Sequence, residues 1–133
     1  MTPMPSRTSP AHDRLARLTK ICLDLPEATR EMKGSHAAFR AGKPSGRHVF
    51  AYYLHNHHGD GIISVCCKVA PGDNAALIAA QPARFHMPAY IGPRGWVGLR
   101  LDVGKIDWDE VGELVRDSYR RTAPKRLAAQ IKL

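Results

Sequence analysis

RHVFAYYL at 47–54, HNHHGDG at 55–61 and IISVCCKV at 62–69 decide the fold. The outer stretches are rich in β-branched and aromatic residues. The Gly- and Asp-containing segment between them reads as a hairpin loop, so two adjacent antiparallel strands are expected. Toward the N-terminus, Gly42-Lys43-Pro44-Ser45-Gly46 reads as a turn. Before it, Thr29 to Lys33 and Ala37 to Arg40 read as two weaker strands, which makes a meander. Toward the C-terminus, Asp73 follows Pro71-Gly72 and is expected to cap a short helix running to about Gln81. Residues 82–95 read as irregular, with three prolines and two glycines, and Trp96 to Asp102 (WVGLRLD) as a last strand.

Helices flank this sheet. Ser9 is an N-cap candidate with Pro10 at the first helical position. Leu15, Leu18, Cys22 and Leu25 follow as one helical stripe, which Pro26 ends. Asp107 is a second N-cap, with Glu110 three residues on and Ile106 and Val111 as a hydrophobic staple. Val111, Leu114, Val115 and Ser118 form its inner stripe, and Pro124 begins a final short helix carrying Leu127 and Ile131. The expected architecture is α+β: a single antiparallel sheet with helices packed on one face. Residues 1–9 are expected as a disordered arm and 10–133 as a single domain.

Composition sets the outer bounds. The chain has 133 residues, 44% hydrophobic and 24% charged, which is ordinary for a globular domain and excludes a collagen-like or fully disordered chain. The longest apolar runs, Val49 to Leu54 and Ala75 to Ala80, are far short of the roughly 20 residues that a membrane helix needs. Three cysteines, two of them adjacent, argue against a disulfide framework, so a reducing cytoplasm is expected. Lys and Arg number 20 against 12 Asp and Glu, a net charge of +8. Residues 111–133 hold Arg116, Arg120, Arg121, Lys125, Arg126 and Lys132 against Glu113 and Asp117, or +4. Such a charge favours anionic partners and says nothing of the fold.

Strand alternation separates two faces. Ile63, Val65, Cys67 and Val69 share one with Val97, Leu99 and Leu101, and should lie under the helices. Lys68, Trp96 and Arg100 fall on the other, where cations beside an aromatic platform suit phosphates and stacked bases. Arg94, in Gly92-Pro93-Arg94-Gly95, is a further phosphate-contact candidate. That glycine-rich stretch precedes a strand rather than joining strand to helix, so it is not a nucleotide-binding loop. Lys125 and Arg126 stand at a helix start, where backbone N–H groups also favour anions.

Other constellations are read as structural. His55, His57, His58 and Asp60 form a polar hairpin tip rather than a metal site, because neighbours in a Gly-flanked loop lack fixed ligand geometry. Cys66 is a packing residue rather than a nucleophile. No catalytic motif is present, and no catalytic residue, metal or cofactor is assigned.

Several short motifs recur in order. They are Leu25-Pro26-Glu27, His36-Ala37-Ala38-Phe39-Arg40 with Gly42-Lys43, Val49-Phe50-Ala51, and Cys67-Lys68 with Ala70-Pro71-Gly72. Pro88 to Val97 (PAYIGPRGWV) follows, then Asp107-Trp108, Ser118-Tyr119 and Ala123-Pro124-Lys125-Arg126. Together they resemble the MmcQ/YjbR family of small bacterial proteins over residues 12–131. The resemblance implies a frataxin-like fold, also described as a double-wing DNA-binding architecture. It also implies that His36, Lys43, Lys68, Tyr90, Arg94, Trp96 and Tyr119 lie near the open face or its rim. Pro44, Ser45 and Gly46 lengthen the usual hairpin, so Lys43 and Arg47 both stand where the family has one lysine. A frataxin-style iron role wants an acidic first helix, whereas here Asp13 and Asp24 stand among Arg14, Arg17 and Lys20.

The expected function is therefore non-enzymatic DNA binding, by contact with the phosphate backbone. One alternative is a small-anion or phosphometabolite binder, or an uncharacterised enzyme, with Lys43, Lys68, Arg94, Trp96 and Tyr119 lining a pocket between residues 82–95 and the sheet. Another is a protein-interaction adaptor. A monomer or weak homodimer is expected, with no membrane partner.

Overall fold

The computed structural model describes residues 10–131. The arm at 1–9, with its Ser9 cap, lies outside the described residues, as do 132–133 and the side chains of 10–12 and His58. In chain order the elements are α1 (Pro10–Leu23), β1 (Ala28–Lys33), β2 (His36–Ala41), β3 (Val49–His55), β4 (Ile63–Lys68), α2 (Asp73–Ala80), β5 (Phe85–His86), β6 (Trp96–Arg100), α3 (Trp108–Thr122) and α4 (Lys125–Ala128). Short 3₁₀ turns occupy His57–Gly59 and Gly92–Arg94.

The strands form one antiparallel sheet in the order β1-β2-β3-β4-β6-β5. The expected meander is present, and β4 pairs Lys68 with Trp96 and Cys66 with Gly98 on β6. The outermost strand β1 carries Arg30, Glu31 and Lys33, all exposed. At the opposite edge, β5 arises inside the stretch expected to be irregular. It is two residues long, too short to leave a periodic signal.

One face meets the helices. Phe39, Ala51, Tyr53, Val65, Cys67, Val97 and Leu99 pack with Leu18 and Cys22 of α1 and Val111, Val115 and Tyr119 of α3. The β2–β3 register passes from Phe39↔Ala51 to Arg40↔Val49 and skips Phe50, a bulge on β3. The bulge lets Phe50 join Ala51 in the core, where its ring meets Tyr119 edge-on at 5.0 Å. Tyr119 Oη donates to the Pro26 carbonyl at 2.5 Å, which ties the end of α3 to the loop after α1. The N-cap of α3 is Asp107, whose carboxylate accepts from the N–H groups of Asp109 and Glu110. Gly72 rather than Asp73 stands at the cap of α2. Its φ of 85° is one that glycine takes without strain, and the helix starts one residue earlier, at Asp73.

The opposite face is less open than alternation implies. Ser64, Cys66 and Trp96 are buried there. Tyr52 covers part of it, its ring 5.4 Å from that of Trp96. His86 covers another part, lying where a Cβ on Gly98 would stand. The His86 Nε2 is buried without a hydrogen-bond partner.

Candidate functional site

At the end of the sheet where β4 finishes and β6 begins, two adjoining clefts share Lys68, Arg94 and Arg121. The larger, about 790 Å³, is walled by Val69, Pro71, Gly72, Asn74, Met87 and the Gly92–Gly95 turn. The smaller adds Arg47, Tyr52, Trp96 and Thr122. No carboxylate lines either cleft.

Each cation is placed by a different element. Lys68 is the last residue of β4, and its backbone N–H donates to Ser118 Oγ at 2.9 Å. Its Cε runs close to Gly95, 3.9 Å from where a Cβ would sit. Arg94 ends the 3₁₀ turn before β6, and its N–H donates to the Ile91 carbonyl at 2.9 Å. Asn74, buried at the start of α2, anchors that turn by donating from Nδ2 to the carbonyls of Gly92 (2.9 Å) and Trp96 (3.2 Å). The pairing of His48 Nδ1 with the Thr122 carbonyl at 2.9 Å holds the end of α3 against the start of β3. Arg121 and Arg47 flank that contact. Arg121 binds Asp117, which Arg120 also engages, so one carboxylate serves two guanidiniums. Arg47, Lys68 and Arg94 enter none of the ion pairs among the described residues.

Of the residues singled out in the sequence, the structure brings Arg47, Lys68, Arg94 and Trp96 together. Trp96 is 7% exposed, so it forms a wall and not an open platform. Tyr90 is exposed on the loop just before Arg94. Lys43 is exposed in its turn but lines neither cleft, and Lys125 is exposed at the start of α4. Tyr119 is fully buried in the core. Arg100 stands at the other end of β6, where its Nε and Nη2 donate to the two oxygens of Asp102 at 3.0 and 3.1 Å. Burial pushes the Asp102 carboxyl up, but Arg100 and the Ile63 N–H outweigh it and hold the group below its ordinary range. His36 is also at that far end; its Nδ1 accepts from the His55 N–H and its ring meets His57 edge-on. Arg126 pairs with Glu27. Tyr52, Asn74 and Arg121 were not anticipated. The register of β3 on β4 brings Tyr52 to the cleft, the start of α2 brings Asn74 and the end of α3 brings Arg121.

The remaining chemistry is quiet. Burial pushes the Cys66 thiol up to about 12 and also raises Cys22 and Cys67, so none is a thiolate near neutrality. Among the described residues no three His, Cys, Asp or Glu side chains stand together in a metal-binding arrangement. The hairpin tip is tied to itself: Asn56 Oδ1 accepts from the Gly61 N–H and Asp60 Oδ1 from the Ile62 N–H, each at 2.8 Å. No described helix is long and apolar enough to cross a membrane.

Comparison with known proteins places the fold. The crystal structure of Deinococcus radiodurans protein DR2400, which carries the DUF419 family-model domain, superposes with a TM-score of 0.67 at 22% identity, covering 87% of this chain and 86% of that one. A search of curated proteins finds no match. The family model described as YjbR matches residues 23–121, from the end of α1 to the last turn of α3, and the chain therefore belongs to the YjbR family.

Proposed function

We propose that this protein binds DNA by its phosphate backbone, at the cleft between β4, the Gly92–Gly95 turn and the end of α3. One observation carries the reading: four cationic side chains, Arg47, Lys68, Arg94 and Arg121, line a concave surface that contains no carboxylate. Guanidinium forks match phosphate oxygens bidentately, and a lysine adds a movable point charge. The net charge of +8 attracts a polyanion from a distance. No groove-reading helix accompanies the cleft, so contact is with the backbone and not with base edges.

The test is fluorescence anisotropy of labelled DNA across a salt series. Four phosphate contacts give a log-log salt slope of about −3 to −4. Lys68→Gln and Arg94→Gln each flatten it by about one unit. Arg116→Gln, at an exposed cation outside the cleft, leaves it unchanged. Affinity that ignores salt, or a slope lowered by Arg116→Gln and not by the other two, would reject the cleft. The size of the larger cleft favours a second reading, a small phosphorylated or carboxylated ligand. Thermal stabilisation by one member of a metabolite panel, with no DNA binding, would select it.

A further inference from the structure

We infer that Tyr90 is a stacking platform for an unpaired base, which gives a single strand a contact at the cleft that a duplex lacks. The inference rests on the phosphate-binding reading above. Tyr90 is 77% exposed, more than any other large hydrophobic side chain among the described residues. Its φ is 68°, a left-handed conformation that a bulky residue adopts at a cost of about 1–2 kcal/mol. The Ile91 N–H donates to the Ala89 carbonyl at 2.8 Å, so Tyr90 is the apex of a three-residue γ-turn of the rare, strained kind. Glycine would relieve the strain, yet a large aromatic ring occupies the tip.

The surrounding backbone enforces this posture. The Gly92 N–H donates to the Pro88 carbonyl at 2.9 Å, the Arg94 N–H to Ile91 at 2.9 Å and the Gly95 N–H to Gly92 at 3.0 Å. Asn74 fixes the Gly92 carbonyl from behind, and Pro88 is buried. A ring held out on so stiff a support loses little freedom when a ligand meets it.

Ile91 and Arg94, on the same loop, line the smaller cleft. Four residues of chain reach at most about 14 Å, so a strand whose phosphates engage Arg94 and Lys68 has a base within a few nucleotides of Tyr90. Trp96 is packed against Tyr52 and cannot serve as a platform. A duplex keeps its bases stacked on one another, whereas a single strand offers each base's π-face to an aromatic side chain. That chemistry is common to DNA and RNA strands.

The experiment compares oligo-dT, oligo-U and a DNA duplex, each about 16 nucleotides long, at about 50 mM salt. The full chain is used as wild type, Tyr90→Ala, Tyr90→Phe and Lys68→Gln. Tyr90→Ala is expected to weaken single-strand binding by about five- to a hundredfold and leave duplex binding unchanged, while Tyr90→Phe keeps wild-type affinity. Lys68→Gln weakens all three ligands. The ratio of oligo-dT to oligo-U affinity, whatever its value, assigns the strand once the Tyr90→Ala loss is seen. Single-strand binding untouched by Tyr90→Ala, or an equal loss on strand and duplex, overturns the inference while the Lys68→Gln effect leaves the cleft in place. No binding of any of the three by wild type overturns both.

Discussion

The hydroxyl of Ser118, on α3, donates to the backbone carbonyl of Phe50, on β3, at 2.6 Å. The β3–β4 pairing ends at Ala51↔Cys67, one residue short of Phe50 and Lys68. Ser118 Oγ in turn accepts the N–H of Lys68 at 2.9 Å. One helix side chain thus closes the end of the β3–β4 ladder and fixes the backbone from which the Lys68 ammonium enters the cleft.

Ser118→Ala is expected to lower stability by about 2 kcal/mol, because two backbone groups lose their partner at once. In a domain of this size that is a fall in Tm of roughly 6–10 °C. Urea denaturation monitors it, and a midpoint equal to wild type would rule out the bridging role. The same variant should bind DNA more weakly, since Lys68 loses its anchor.

Substitutions at Tyr90 separate strain from function. Tyr90→Gly is expected to unfold at the same or a slightly higher urea concentration, because glycine takes a φ of 68° freely. Tyr90→Val should lose about 1 kcal/mol more, since a β-branched residue resists that conformation. A reversed ranking would show that the turn is not strained.

His86 gives the fold a pH response. Burial is the main influence and holds its imidazole below the ordinary 6.5, against Asp60, Asp102 and the Met87 backbone hydrogen bond, with Arg100 acting alongside burial. The unfolded chain therefore takes up the proton first as pH falls. The contribution is complete above 6.5 and drains away below it, down through the folded value. His86→Gln should flatten the slope of unfolding free energy against pH over that window. An identical slope in the variant would disprove the assignment.

Gly98→Ala forces the same ring outward, because the new Cβ would occupy the space of the imidazole. The expected cost is about 1–3 kcal/mol. The His86 pKa should move back toward its ordinary value as the ring meets water, which NMR titration would follow. A variant with wild-type stability and titration would show that the two residues do not contend for this space.

Much of this was legible in the sequence. The hairpin of 47–69 and the Asp107 cap carry local signals, turn chemistry and capping geometry, and both stand as expected. The places of Lys68 and Arg94 at the end of β4 and in the turn before β6 were readable because strand parity and a turn before a strand are local properties. The sequence did not disclose the bulge at Phe50, which breaks the alternation from which faces are counted. Nor did it disclose that Trp96 would be covered, since Tyr52 reaches it only through the β3–β4–β6 register. Arg100 and Asp102 were a missed local signal: a carboxylate two residues along at a strand end engages the cation it follows. The resemblance set Tyr119 near the open face or its rim, but it lies in the core, where its hydroxyl reaches a carbonyl 93 residues away.

The two borders of the sheet have a consequence of their own. On one side β1 offers a ribbon studded with Arg30, Glu31 and Lys33; on the other, β5 stops after two residues and the chain soon reaches Pro88. Neither is a good template for a passing strand: fixed charges repel a partner on one border, and on the other there is almost no ladder to extend. Crowding this protein beside copies of itself on a long polymer should therefore not seed fibres.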